Sequence, residues 1–592
     1  MDLAQAPFET LLDELDFQLH QVLGLPDRDD HLPLIEAAIA LAAAEFAPHA
    51  AALDACEPTF DGERVHLPPT VATALQAYID AGFLAAPFPE ADGGLGLPYA
   101  ISQAMVAAFH AADPSTAAYP FLTAAAANLL RAFGTEDQKQ RLMAPMLEGR
   151  FFGTMALSEP QAGSSLGDLR TRAVPQDDGS THIIGDKMWI SGGEHELSET
   201  IVHLVLARLP DAPPGVKGIS LFAVTRHHLD EAGDPGERNG VSLIGLNHKM
   251  GYRGTVNTAL AFGAEAPAVG ELVGEPHQGL KAMFHMMNEA RIGVGLGATM
   301  IGWAGYRTSL AYARDRRQGR HPDERDPTSP PVPILEHADV RRMLLTQKVL
   351  VEGGLALSLF CATLVDDLER GDAAAKTRAE GLLGILTPIA KAWPSEHGPR
   401  ANDLAIQVLG GAGYARDYPV ERYYRDNRLN PIHEGTNGVQ GMDLLGRKVL
   451  RDGGQGLRLL LGELGGSVAR HRGPADLDEL CDGLDAAVAL VAEVSGVLGM
   501  AAAKGQVRLC LANATEYLHM VGHVVIGWMW LEQAAAALRP GDGDPLRASE
   551  LRAGKLHAAR FFARVELPRI ERQAALLRRL DDTAMTMPDG GF

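Results

Sequence analysis

The chain has 592 residues, of which 46% are hydrophobic, and a formal net charge of −22. That length suits about three to five structural units with sizeable cores. The acidity argues against a nucleic-acid-binding body, because phosphate binding needs a basic surface. Four well-separated cysteines, Cys56, Cys361, Cys481 and Cys510, form no CxxC pair, so reduced thiols in a cytoplasmic protein are expected, and no metal cluster.

The first segment, "MDLAQAPFETLLDELDF", is acidic and lacks the apolar run of a secretory signal. No stretch offers about 18 uninterrupted apolar residues, so no membrane span is expected. The run "HMVGHVVIGWMWLEQAAAAL" comes nearest and reads as a buried helix. Residues 1–150 repeat apolar positions at helical spacing, with a helix start at Thr135 followed by acids. From Phe151 the pattern becomes six short β-rich runs: "FFGTMAL", "THIIGDKMWI", "TIVHLVLARL", "GISLFAVT", "VSLIGL" and "VNTALAF". Turn clusters such as "PQDDGS" and "GDPGERNG" separate them, as in a small barrel or sandwich. The pair His227–His228 falls in such a turn and is expected to be solvated. Helical patterning returns at Gly279 and continues to the end, with Pro394 expected to bend one helix. The expected class is α+β multidomain: an N-terminal all-α domain (1–150), a central β-barrel or sandwich domain (151–278), a four-helix-bundle domain (279–454) and an extra helical domain (455–592).

Four stretches carry candidate chemistry. "MALSEPQAGSSLGDLRTRA" leaves a strand and enters a polar loop whose N–H groups and hydroxyls (Ser158, Ser164, Ser165) suit an anion, a heterocycle edge or an ordinary solvated turn. In "GDKMWISGGEH", strand alternation puts Trp189 and Ser191 on one face, either beside a flat ligand or in the core. "NPIHEGTNGVQ" sets Glu434 beside Gly435 in a corner poor in side chains, which suits a base against a flat substrate and a surface turn alike. In "EYLHMVGH", Glu516, His519 and His523 share a helix face. The apolar setting and the absence of HExxH favour buried histidines over a metal site. No GxGxxG or GxxxxGK[ST] follows a strand, so a nucleotide cofactor would not use a Rossmann domain.

Taken together, "LSEPQAGSS", "GDKMWIS", "ARDRRQG", "QVLGGAGYARDYPVERYYRDNR" and "IHEGTN" occur in the order and spacing of the acyl-CoA dehydrogenase family, which the chain resembles over roughly residues 100–450. The C-terminal extension and "GLNHKMGYRG" resemble its longer subgroup of about 600 residues, which includes bacterial fatty acyl-CoA and 3-methylthiopropanoyl-CoA dehydrogenases. The resemblance implies FAD bound between domains. Met155, Leu157, Ser158, Gly163 and Ser164 would line the flavin and its pyrophosphate. Trp189 and Ile190 would lie against the ring, with Ser191 at its N5 or O4 edge. Arg316 and Gln318 would reach the FAD of a neighbouring subunit, implying a homodimer. Gln407, Gly410 and Gly411 would cradle adenosine or pyrophosphate, and Thr436 and Asn437 would close on the flavin. Ser164, Asn288, Arg291, His433 and Gly435 would contact the acyl-CoA substrate. Glu434 matches the base that removes the α-proton, giving a trans-2-enoyl-CoA, with electron-transfer flavoprotein as the electron acceptor. A near alternative is an oxidase using oxygen. A more distant one is a DNA-binding protective flavoprotein, which the net charge disfavours. The sequence departs from the family at His433, where tyrosine is usual. A histidine there could pair with Glu434 or pack on the acyl group. Glu289 on the long helix is an alternative base.

Overall fold

The computed structural model describes residues 3–539 and 545–592, with the backbone alone at 285–288 and 545–548. The chain forms two compact units: one from Ala40–Pro98 and Ala112–Ala290, the other from Met1–Ile39, Tyr99–Ala111 and Arg291–Phe592. The architecture is mostly helical, with one large sheet in the first unit.

That sheet has nine strands: β1 (Phe151–Ala156), β2 (Arg172–Pro175), β3 (Thr181–Ser191), β4 (Thr200–Arg208), β5 (Ile219–Thr225), β6 (Val241–Leu246), β7 (Asn257–Phe262), β8 (Ala268–Val269) and β9 (Glu271–Val273). The order is β6-β7-β3-β2-β4-β5-β9, with β8 on β3 and β1 on β4. All six strands expected from the sequence form, within two residues of the expected ends. β4 is buried along almost its whole length, and so it reads as an apolar run without alternation. The short strands β2, β8 and β9 were hidden because two to four residues carry no periodicity. Nor are His227 and His228 in a turn: His227–Leu229 pairs with Pro235–Arg238, inside the expected turn cluster "GDPGERNG". His227 is half-buried, its Nδ1 3.1 Å from the Thr200 hydroxyl. Thr135 caps its helix as expected, through a reciprocal pair with Gln138. The supposedly all-helical N-terminal stretch also holds a two-strand ladder, Thr59–Phe60 with Val65–His66.

The helices of the second unit begin within α1 (Gly279–Asp315) and continue through α2 (Ala338–Arg370), α3 (Ala373–Leu409), α4 (Val420–Asn427) and α5 (Asn437–Met442). α3 runs uninterrupted through Pro388, Pro394 and Pro399. After it come α6 (Gln455–His471), α7 (Ala475–Ala503), α8 (Ala514–Leu538), α9 (Pro545–Phe561) and α10 (Ile570–Arg578). These later helices share one hydrophobic core with α2 and α3, running from Leu357 and Trp393 through Leu484, Trp530 and Phe562 to Leu577. Trp530 donates to the Val349 carbonyl at 3.0 Å, and Arg400 grips the buried Glu566 through two bonds of 2.9 and 3.0 Å. Fully buried Lys555 donates to Glu14 (2.5 Å), Glu352 (2.8 Å) and Gln533 (2.9 Å). His523 accepts from the Trp393 indole at 3.2 Å. Among the described residues, no three or more His, Cys, Asp or Glu side chains are placed to hold a metal.

Three stretches, Arg28–Ala55, Ala338–Arg370 and Ala475–Ala503, are long and apolar enough to cross a membrane by length and composition. Counting uninterrupted apolar residues misses them, because isolated charged or polar residues interrupt each one; the 519–538 run is not among them. Of the apolar window in Ala338–Arg370, 83% is buried within the protein.

Candidate active site

In the first unit, β1 ends and the chain leaves the sheet at Leu157. Met155, Leu157 and Ser158 are half-buried, while Gly163 and Ser164 are exposed. The loop closes tightly through paired bonds between Glu159 and Ala162, at 2.9 and 3.0 Å. Its anchor is a buried ion pair. Lys187 of β3 is fully buried, donating to Glu159 at 3.0 Å and to the Leu157 carbonyl at 3.0 Å. Glu159 also accepts from the Arg170 and Thr171 N–H groups and the Thr171 hydroxyl. Burial would raise this carboxyl, but Lys187 and those donors outweigh it and hold it at about 2. Burial lowers Lys187 to about 8 against the pull of Glu159.

One residue further on, β3 departs from regular alternation. Its register with β7 slips between Thr258 and Leu260, and Trp189 takes a left-handed φ of 64°. This bulge turns Trp189 outward to 61% exposure while Ile190 stays buried. Met188 N–H donates to the Ser158 carbonyl at 2.9 Å, which brings the loop beside the tryptophan. The Ser191 hydroxyl accepts from Asn257 at 3.0 Å, itself bonded to Asn247, so its own proton is left to donate elsewhere.

In the second unit, the base candidate sits between α4 and α5. A ladder of buried amides fixes the entry: Asn402 to the Ile301 carbonyl, Asn427 to the Asn402 side chain and the Ala298 carbonyl, and Asn430 to Asn427, all at 2.7–2.9 Å. Lys391 of α3, fully buried, donates to the Asn430 carbonyl at 2.8 Å. Glu434 then adopts φ 52° and Gly435 φ 85°. Left-handed backbone is strained for a glutamate, and such strain concentrates at functional positions. Gln440 donates to the Glu434 carbonyl at 3.1 Å; a Cβ at Gly435 would stand 2.6 Å from that amide nitrogen and displace it, and the positive φ itself favours glycine. The Glu434 N–H has no acceptor among the described residues. Thr436 caps α5, and Asn437 donates to Glu396 at 3.0 Å. Half-buried Glu434 has its pKa raised by burial, against the opposing pull of Arg291 and then Lys391. Arg291 is buried and stands 3.5 Å from Asp443.

His433 bonds to the Asn430 side chain at 3.0 Å, so its hydrogen bond goes there and not to Glu434. Burial, then Lys391, lowers it to about 3 and keeps it neutral. Glu289 accepts from Asn128 at 2.8 Å. The side chain of Asn288 lies outside the described residues. Arg316 and Gln318 are exposed and bonded to each other at 3.2 Å. Gln407, Gly410 and Gly411 are exposed too, and nothing stands near a Cβ built on either glycine. An edge contact between Tyr312 and Tyr418 at 6.0 Å draws these two segments together.

Sequence reasoning missed Glu159, Lys187, Lys391, Asn430 and Gln440, which hold the two loops. The one available signal was alternation: Lys187 stands four residues after Ile183 on β3, on the buried face.

Four family descriptions match in succession: acyl-CoA dehydrogenase N-terminal domain (28–150), middle domain (154–264) and C-terminal domain (277–449), then acetyl-CoA dehydrogenase C-terminal like (460–588). A 3-methylmercaptopropionyl-CoA dehydrogenase of Ruegeria pomeroyi is 37% identical, with 88% of each chain covered. The broad-specificity linear acyl-CoA dehydrogenase FadE5 of Mycobacterium tuberculosis is also 37% identical, over 90% of each chain. The crystal structure of an acyl-CoA dehydrogenase from Bacillus anthracis complexed with FAD superposes with a TM-score of 0.73 at 20% identity, covering 94% of this chain and 89% of that one. Matched from residue 28 to residue 588, the chain belongs to the acyl-CoA dehydrogenase family of oxidoreductases.

Proposed function

We propose that the protein oxidises a linear acyl-CoA thioester to its trans-2-enoyl-CoA, with Glu434 as the base. The observation that carries this reading is the Glu434 corner: a carboxylate made more basic by burial, on strained backbone, beside a glycine and an open N–H. A thioester α-proton is weakly acidic, so a stronger carboxylate base and a donor to the carbonyl oxygen both lower the barrier. Glu434 Oε would take the α-proton, while its own N–H would donate to the thioester oxygen as negative charge builds there. Gly435 leaves the thioester room beside the carboxylate.

The residues present fit FAD. An outward-turned tryptophan at 61% exposure, a hydroxyl with a spare proton at Ser191 and an exposed loop at Gly163–Ser164 match an isoalloxazine and a phosphate edge. Met155, Leu157, Ser158, Gly163, Ser164, Trp189, Ile190 and Ser191 would hold it, and the family resemblance also assigns Gln407, Gly410, Gly411, Thr436 and Asn437 to it. When bound, the flavin supplies the acceptor for the β-hydride. Its electrons would pass to an electron-transfer flavoprotein. The relatives named above support two substrate candidates, straight-chain acyl-CoAs and 3-methylthiopropanoyl-CoA. Arg316 and Gln318, exposed on the chain surface, would reach a second subunit in a homodimer.

The test is anaerobic. Saturated acyl-CoAs of graded length and 3-methylthiopropanoyl-CoA are mixed with the yellow holoenzyme while the visible flavin band is followed. Bleaching is expected, and Glu434→Gln should slow it by about 10³-fold. Wild-type speed in Glu434→Gln would remove Glu434 from the role. Turnover sustained by oxygen alone would reassign the protein as an oxidase.

A further inference from the structure

We propose that Lys391 is a positioning residue for the base: its ammonium clamps the entry of the Glu434 loop and supplies the positive charge that keeps Glu434 ionised there. This rests on the reading of Glu434 as the base.

Lys187, Lys391 and Lys555 are each fully buried. A buried ammonium is costly unless it is paired. Lys187 has Glu159, and Lys555 has both Glu14 and Glu352. Lys391 has no carboxylate at ion-pair distance among the described residues. Its hydrogen bond goes to a main-chain carbonyl, Asn430 O at 2.8 Å, four residues before the base. A cation left short of a partner in the interior needs a reason, and the groups around it provide one.

From the loop, Lys391 faces Glu434 and His433; from α1 it faces Arg291. Arg291 is in turn faced by Asp443 and Arg447, from the helical turns that follow α5. Two cations therefore converge on one carboxylate. The charge of Arg291 is shared with Asp443 at 3.5 Å, whereas that of Lys391 is not shared. His433 does not compete, being neutral and bonded to Asn430. The balance shows on both sides. Burial lowers Lys391 to about 7 although Glu434 pulls it up, and burial raises Glu434 although Arg291 and Lys391 pull it down. Without Lys391 only Arg291 would oppose burial, and the balance at Glu434 would shift towards the protonated carboxyl.

The test uses the holoenzyme with two variants. Lys391→Gln keeps a donor for the Asn430 carbonyl and loses the charge; Lys391→Arg keeps both. The infrared band of the protonated Glu434 carboxyl, identified by subtracting a matching Glu434→Gln spectrum, is titrated without substrate, and kcat/KM is measured against pH in parallel. In Lys391→Gln both midpoints should rise by about one pH unit, with kcat near neutrality down about tenfold. Lys391→Arg should leave the midpoints where they are in the wild type. Unmoved midpoints in a folded Lys391→Gln would overturn the proposal. If that variant does not fold, a displaced midpoint in Lys391→Arg overturns it instead. The two readings separate cleanly. An active Glu434→Gln removes the base assignment and this proposal with it, whereas an inactive Glu434→Gln beside an unmoved Lys391→Gln removes Lys391 alone.

Discussion

The β3 loop anchor and the Glu434 corner use the same device, a fully buried lysine under a glycine-containing loop, in opposite ways. Beneath the β3 loop, Lys187 is matched by one carboxylate that four further donors also hold, so charge and hydrogen bonds are closed locally. Beneath the Glu434 corner, Lys391 is matched among the described residues by a carbonyl alone, and its charge is left to act on a neighbour. A closed pair fixes geometry. An open one adjusts the reactivity of the group it faces. Lys555, closed by two carboxylates, is the extreme of the first kind.

Stability measurements can break this comparison. Lys555→Met should be the most damaging of the three, because it takes the ion-pair partner from buried Glu14 and leaves Glu352 with Lys348 alone; a loss of about 3–5 kcal/mol in denaturant unfolding is expected. Lys187→Met should cost less, about 2–3 kcal/mol, since Glu159 keeps its N–H and O–H donors. Lys391→Met should cost least, about 1 kcal/mol, because it orphans one carbonyl and no charge. A reversed order, with Lys391→Met the worst, would mean that its surroundings are as closed as the others.

A finer test is the pH dependence of stability. Lys391 falls to about 7 in the folded protein from an ordinary 10.5, and Lys187 to about 8. For both, the unfolded chain binds the proton more tightly, so stability should rise with pH between the folded and the unfolded values. Lys391→Met should remove its share of that rise from about pH 7 upward, including all of it between 7 and 8, and Lys187→Met only its share above about 8. Glu159 has the opposite arrangement. Held at about 2 against an ordinary 4.5, its contribution is present above pH 4.5 and lost as pH falls towards 2. Unfolding by denaturant at fixed pH steps reads all three.

Much of this was legible in the sequence. The long strands and helices showed through periodicity, and the family through the order of its motifs. The tuning groups did not show, because a lysine in "PIAKAW" or "GDKMW" carries no mark of burial; side chains of that type usually reach solvent. The bulge at Trp189 was equally hidden. Regular alternation from Ile183 through Lys187 would have buried the tryptophan, and the left-handed turn reverses it. The alternative partners of His433 could be decided only once Asn430 was in place.

The core shared by α3 and the helices after residue 455 bears on how such a chain could be shortened or recombined. Trp393 lies two residues from Lys391 and packs against His523 of α8, while Arg400 ends on Glu566. The later helices are therefore the back wall of the helix that carries Lys391, and not a detachable appendage. A gene trimmed after codon 454 would encode a protein with bare tryptophan and leucine surfaces where that wall had been. A lineage that discarded this segment would have to rebuild α3 at the same time.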